Sequence, residues 1–229
     1  SIKVDQMQGF WLKECLKILG SYNSMVMRSI ILSDKKRNKN DNKIYVFDIR
    51  KLNWDKRKNI FREFKQNLIG ITTSTKLDII CLLLLTQKLI EYHEEYVKNK
   101  STFTRKYRPR NEINGFFTVY FKNMGQASSP SNISYLELPA FVEINTYDEA
   151  EKWLEIINEH KEIIKSIQVS ANKQGESGDI VPILQSYRQF LTTGDIDYFF
   201  DFISGYSIFL IQQLSKENYY IKPFSTINM

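Results

Sequence analysis

The run NGFFTVYFKNM, Asn114 to Met124, closes the stretch TRKYRPRNEINGFFTVYF (Thr104–Phe121), and its reading sets the fold class. Taken as a short helix, it leaves the chain mainly α, and the scarcity of Gly and Pro (9 and 5 of 229 residues) favours long helices in the same way. The same stretch carries four cations within six positions, Arg105, Lys106, Arg108 and Arg110. Rings interleave with them or follow: Tyr107, Phe116, Phe117, Tyr120 and Phe121. Arg forks two hydrogen bonds onto a phosphate, and a ring offers any base a face to stack on. The four cations are therefore the first expected phosphate contacts, with Phe103 and Tyr107 as stacking candidates, while Phe116, Phe117 and Phe121 are expected in the core.

Working outward, helical periodicity recurs. STKLDIICLLLLTQKLIEYHEEYVKNK is apolar on every face at its middle, which predicts a helix at the centre of a bundle. NWDKRKNIFREFKQNL predicts an amphipathic helix capped by Asn53. Trp54, Ile60, Phe61, Phe64 and Leu68 fall on its apolar side, and Lys56, Arg57, Lys58, Arg62 and Lys65 on the other. QGFWLKECLKILG predicts a further helix near the start. TYDEAEKWLEIINEHKEIIKSI opens with Thr146 and Glu149 at capping-box spacing. DIVPILQSYRQFL and GDIDYFFDFISGYSIFLIQQL form a closing αα-hairpin across TTG. GQASSPSNIS reads as a turn-rich connector, YLELPAFVEI as extended up to Pro139, and NKQGESGD as a linker.

Two β-prone runs, MVMRSIIL and IYVFDI, flank SDKKRNKNDNK and predict a small hairpin near the N-terminus whose basic, mobile tip holds Lys35, Lys36, Arg37 and Lys39. The expected architecture is thus a mainly α helical bundle with that hairpin. Residues 1–100 supply helices with the inserted basic hairpin, and residues 101–229 a basic and aromatic segment followed by a C-terminal helical bundle.

Charge is unevenly spread. Lys35 to Lys65 holds twelve Lys or Arg against four Asp or Glu, and Lys98 to Lys122 seven against one. Glu137 to Glu162 reverses this, with eight acids against two bases. The net charge of +6 makes an anionic partner plausible for the front half and basic protein neighbours for the acidic part. Lys56, Arg57 and Lys122 join the expected nucleic-acid contacts on these grounds.

Catalytic signatures are missing from the sequence: no P-loop, H-E-x-x-H, G-x-S-x-G or dinucleotide fingerprint occurs. His93 and His160 are expected to be structural. Asp195 and Asp197 sit in a helix's first turn, where carboxylates complement the dipole, so no metal, cofactor or enzymatic role is expected of them or of Asp201. Cys15 and Cys81 support no disulfide framework, so a cytoplasmic setting is expected, without a secretory leader. The apolar run Ile79–Leu85 is far shorter than the roughly 20 residues a membrane span needs.

PILQSYRQFLTTGDIDYFFDFISGYSIFLIQQL with KPFSTIN resembles the C-terminal end of the large subunit of type I CRISPR Cascade complexes. GFWLKECLKILGSY, NKIYVFDIRKLNW and YFKNMGQASSPSNISYLELPAF extend the likeness over most of the chain. The resemblance implies a non-catalytic component of an RNA-guided antiviral surveillance complex, binding target DNA or R-loop strands beside a guide RNA. It also implies packing of the C-terminal helices on backbone and small subunits and help in recruiting a helicase–nuclease. The rival expectation is a helical protein–protein adaptor with no nucleic-acid contact.

Overall fold

The computed structural model describes residues 20, 24–30, 40–167, 180–217 and 221–225. The expected N-terminal helix, the hairpin tip and the NKQGESGD linker fall wholly or largely outside these residues. In chain order the described elements are β1 (Met25–Ile30), β2 (Asp41–Ile49), α1 (Trp54–Asn67), α2 (Ser74–Glu91) and the one-turn α3 (Glu94–Val97). β3 (Thr102–Tyr107), a 3-10 turn at Pro109–Asn111, β4 (Ile113–Asn123), β5 (Ser128–Glu137) and β6 (Ile144–Thr146) follow. α4 (Tyr147–Ser166), α5 (Ile180–Thr193) and α6 (Ile196–Leu214) complete the series.

The mainly α expectation is overturned. NGFFTVYFKNM is a strand, and β4 is one of the two inner strands of a four-stranded antiparallel sheet ordered β1-β2-β4-β5. A second, two-stranded sheet pairs β3 with β6. The fold is α/β, with helices packed on one face of the larger sheet. The reason lies in β4's own composition: Phe, Val, Thr and Tyr suit a pleated surface, and their side chains alternate between faces. Phe116 and Thr118 are buried while Phe117 is half exposed. Gly115 completes the argument, because a Cβ there would lie 2.1 Å from the carbonyl oxygen of Leu136 on β5. Only glycine lets the two backbones approach that closely.

GQASSPSNIS is likewise more than a connector. It turns at Gly125, where φ is +105°, and returns as β5. Pro130, which lacks an N–H, is tolerated because β5 is an edge strand and the register shifts between Tyr120 and Phe121 opposite it. The expected β1–β2 hairpin pairing is present, Met25 against Val46 through Ile30 against Asp41, but as part of the larger sheet. The expected division at residue 100 runs through this sheet, since β1 and β2 precede it and β4 and β5 follow.

The helix-facing side of the sheet presents Tyr45, Phe47 and Phe116 to Phe61 and Phe64 of α1. Ring centroids lie 3.9 Å apart for Phe47–Phe61 and 5.3 Å for Phe47–Phe64. α2, apolar on every face, is buried along nearly its whole length and contacts α1, α4 and α5. Full burial of one such Leu or Ile contributes about 1.5–3 kcal/mol. Buried charges within this core are held by partners. Asp78 on α2 is held by Lys43 at 2.6 Å, by the Tyr45 hydroxyl at 2.6 Å and by Arg188 of α5 at 3.1 Å, tying sheet to helices. The helix starts follow their sequence signals: Asn53 accepts from the Asp55 N–H, Thr146 from Glu149, and Asp195 from Asp197.

Candidate nucleic-acid interface

The cations expected to hold phosphate are distributed unequally. β3 and the turn after it carry Arg105, Lys106, Arg108 and Arg110, but the acidic segment folds back on them. Lys106 and Arg108 both pair with Glu143, and Arg110 pairs with Glu137. The hydrogen bond from Lys106, then the nearby charges, hold the Glu143 carboxyl below its usual range. Arg105 is exposed and forms no ion pair among the described residues; the same holds for Lys122 at the end of β4. The stacking assignment is corrected. Phe103 and Tyr107 are buried, Tyr107 donates its hydroxyl to the Leu89 carbonyl at 2.9 Å, and its ring stacks on His93 at 3.8 Å. Neither ring has a face open to a base. Burial, then the charge of Lys56, pushes the His93 pKa down to about 4, in keeping with a structural histidine. Lys35, Lys36, Arg37 and Lys39 lie outside the described residues.

The concentrated basic and aromatic surface is instead on α1. Trp54 was expected on the apolar side, yet it is 67% exposed. The Arg57 guanidinium lies 5.2 Å from the centre of its ring and 5.4 Å from that of Phe61, bridging the two. Arg57 also donates to Ser24 Oγ at 2.6 Å, which fixes the fork. Helical spacing then lines Lys58, Arg62 and Lys65 beside it, and the six side chains of Trp54, Arg57, Lys58, Phe61, Arg62 and Lys65 border an open groove of about 430 Å³. Lys58 and Arg62 are exposed and form no ion pair among the described residues.

Of the two acids on α1, Asp55 is exposed in the first turn beside Trp54, whereas Glu63 is turned away from the groove. Glu63 accepts from Tyr92 at 2.5 Å and pairs with Lys88 at 2.9 Å, on the side of α1 that faces α2. Those hydrogen bonds, Tyr92 first, lower its pKa. Arg28 of β1 donates to the Lys65 carbonyl, while its Nε is buried without a hydrogen-bond partner. Burial, which disfavours the charged ammonium, and then the like charge of Arg28 lower the Lys65 pKa. Lys56, expected to join the interface, points the other way and binds Glu112 at 2.8 Å.

The exposed ring, the oriented Arg and the further cations along one helix side form a ledge suited to stacking a base and following a sugar–phosphate chain. Its signal was already in the sequence, as Trp54, Arg57, Lys58, Phe61, Arg62 and Lys65. The amphipathic pattern absorbed Trp54 into the core and hid it.

Among the described residues no group of three or more His, Cys, Asp or Glu is placed to hold a metal ion, and no helix is long and apolar enough to cross a membrane. No protein-family profile, curated protein or solved structure matches this chain.

Proposed function

We propose that this chain is a non-catalytic, nucleic-acid-binding component of a cytoplasmic, RNA-guided surveillance complex of the type I CRISPR Cascade kind, acting as part of its large subunit. The observation that carries the reading is the α1 ledge, where Trp54 is exposed beside Arg57, Lys58 and Arg62. The Cascade assignment rests on the sequence resemblance, and the ledge supplies the strand contact that such a role requires. In this reading α1 holds a single strand or a heteroduplex backbone of the R-loop. The C-terminal helices face backbone and small subunits, consistent with exposed Phe200, Ile208 and Ile211 on α6. A contact to the helicase–nuclease would follow from that position in the assembly.

Fluorescence anisotropy with a labelled single-stranded oligonucleotide tests the strand contact. The combined change Arg57→Ala, Lys58→Ala and Arg62→Ala lowers affinity and flattens the log–log salt dependence by roughly 0.7 per lost contact. Trp54→Ala weakens binding by the worth of one stacked base, about 1–3 kcal/mol, with little change in salt slope. Unchanged binding in both variants refutes the site. Isolation of the chain from its own cells tests the assembly, which should carry guide RNA and the sister subunits.

The adaptor reading draws on a different observation. The sheet face turned away from the helices exposes Met27, Phe117 and Ile133, with Ile44 and Val119 between them in register. Recovery as a protein complex free of nucleic acid favours that reading instead.

A further inference from the structure

We infer that the cavity bounded by α2, α4, α5, the start of α6 and residues 138–142 is a binding site for a small, neutral aromatic molecule of about two fused rings. The site is independent of the nucleic-acid reading and shares no lining residue with α1's ledge.

The volume fixes the size. The cavity holds about 340 Å³. An apolar cavity of about 150 Å³ lined by Leu, Ile and Phe takes up benzene, so roughly twice that volume suits a bicyclic ring. The cavity falls at the lower end of the range of ligand pockets, which are mostly apolar and largely pre-formed.

The walls fix the chemistry. Phe141, Trp153, Phe190 and Phe199 surround the space, with ring centroids 5.0 Å apart for Phe141–Phe190 and 4.9 Å for Phe190–Phe199. Such rings favour a flat partner through offset or edge contacts. No Asp, Glu, Lys or Arg lines the cavity. Its polar groups are engaged with the protein: Thr86 Oγ1 donates to the Leu82 carbonyl at 2.9 Å, Trp153 Nε1 to the Glu143 carbonyl at 3.2 Å, and His160 Nδ1 and the Tyr187 hydroxyl lie 2.5 Å apart. A charged ligand would lose its hydration here with nothing in return, whereas a neutral ring gives up far less, at most one hydrogen bond to water for an indole N–H.

The mouth is kept open by the turn between α5 and α6. Gly194 adopts φ +76°, and a Cβ there would meet Phe141 Cδ1 at 3.3 Å, so the absent side chain leaves Phe141 where it forms the wall. Ile196, half exposed, stands at the rim.

Isothermal titration calorimetry of the full chain at pH 7.5 with indole tests the site, with indole-3-acetate and tryptamine as charged comparators. Saturable one-to-one binding of indole is expected, weaker by at least tenfold for both comparators. Leu191→Trp, which fills the cavity, should cut indole affinity at least tenfold while the far-UV circular dichroism spectrum is unchanged. Should that variant fail to fold, methyl-labelled isoleucines give a second readout: indole shifts Ile156 and Ile157 of the cavity and leaves Ile133 on the outer sheet unmoved. Absence of saturable indole binding, equal affinity for the charged analogues, full affinity in Leu191→Trp, or shifts away from the cavity each overturns the inference.

Discussion

Gly115→Ala separates the two readings of NGFFTVYFKNM by the sign of its effect. In a helix, alanine in place of glycine stabilises by about 1 kcal/mol, because it removes unfolded-chain freedom and exposes less backbone. In β4 the new methyl would sit 2.1 Å from the Leu136 carbonyl oxygen, 3.0 Å from its carbonyl carbon and 3.0 Å from Glu137 Cα. All three atoms are backbone, so no side-chain rotation relieves the contact and β5 itself must move. Overpacking of this kind costs about 1–3 kcal/mol and at times more. For a chain of this size, 1 kcal/mol moves Tm by roughly 2–4 °C, so the variant should melt on the order of 2–12 °C lower. Urea denaturation followed by far-UV circular dichroism measures the same loss as a lower midpoint with an unchanged m value. A variant as stable as the parent, or more so, would mean that Gly115 does not face Leu136 across a strand pair.

Asp78→Ala leaves Lys43 and Arg188 facing each other without their shared carboxylate, and should cost about 3–5 kcal/mol in urea titrations; a loss under about 1 kcal/mol would show that the network is not closed. Lys161, buried on α4 and donating to Gln87, has its pKa pushed down to about 8, chiefly by burial. The unfolded chain therefore holds the proton more tightly between pH 8 and the ordinary lysine value near 10.5. Stability gains a rising contribution over that window, and the charged form costs on the order of 2 kcal/mol below it. Lys161→Met should remove the rise, which urea midpoints of the two proteins at pH 7.5 and 9.5 will reveal. Glu143→Gln frees Lys106 and Arg108; if the bound strand passes β3, affinity for a single-stranded oligonucleotide and the steepness of its salt dependence both increase, while an unchanged slope places the strand elsewhere.

What could be read from sequence follows from how local each cause is. Asn53, Thr146 and Asp195 cap their helices through bonds to residues two or three positions on, and such signals need no knowledge of the fold. α2 was legible because an all-round apolar run of that length has no other place than the core. β4 was not, since its rings at positions 116, 117, 120 and 121 recur at helical spacing, and a strand with apolar side chains on both faces offers no alternation to set against it. Partners from β2 and β5 decide between the two, and both are distant in sequence. β5 was further hidden because residues 128–134 are exposed on a sheet edge and carry no apolar alternation.

The candidate site turned on the same distinction between local and distant causes. Counting charges along the chain ranked the Arg105–Arg110 run first, because its sequence neighbourhood holds a single acid, Glu112. The fold brings Glu137 and Glu143 against that run, so the acidic segment expected to meet foreign basic surfaces meets this chain's own. On α1 the sequence holds more acid, Asp55 and Glu63, yet Glu63 is drawn to Lys88 and Tyr92 on the far side of the helix. A polyanion responds to the charge left facing solvent after such pairing, and it responds over about a Debye length, roughly 8–10 Å. At that range the groove beside Trp54 presents Arg57, Lys58 and Arg62 together, whereas at β3 Arg110 holds Glu137 and Lys106 and Arg108 share Glu143, which leaves Arg105 and one uncompensated charge. Among the described residues the α1 ledge therefore leaves more cations without an ion-pair partner, although the shorter run along the chain is the denser one.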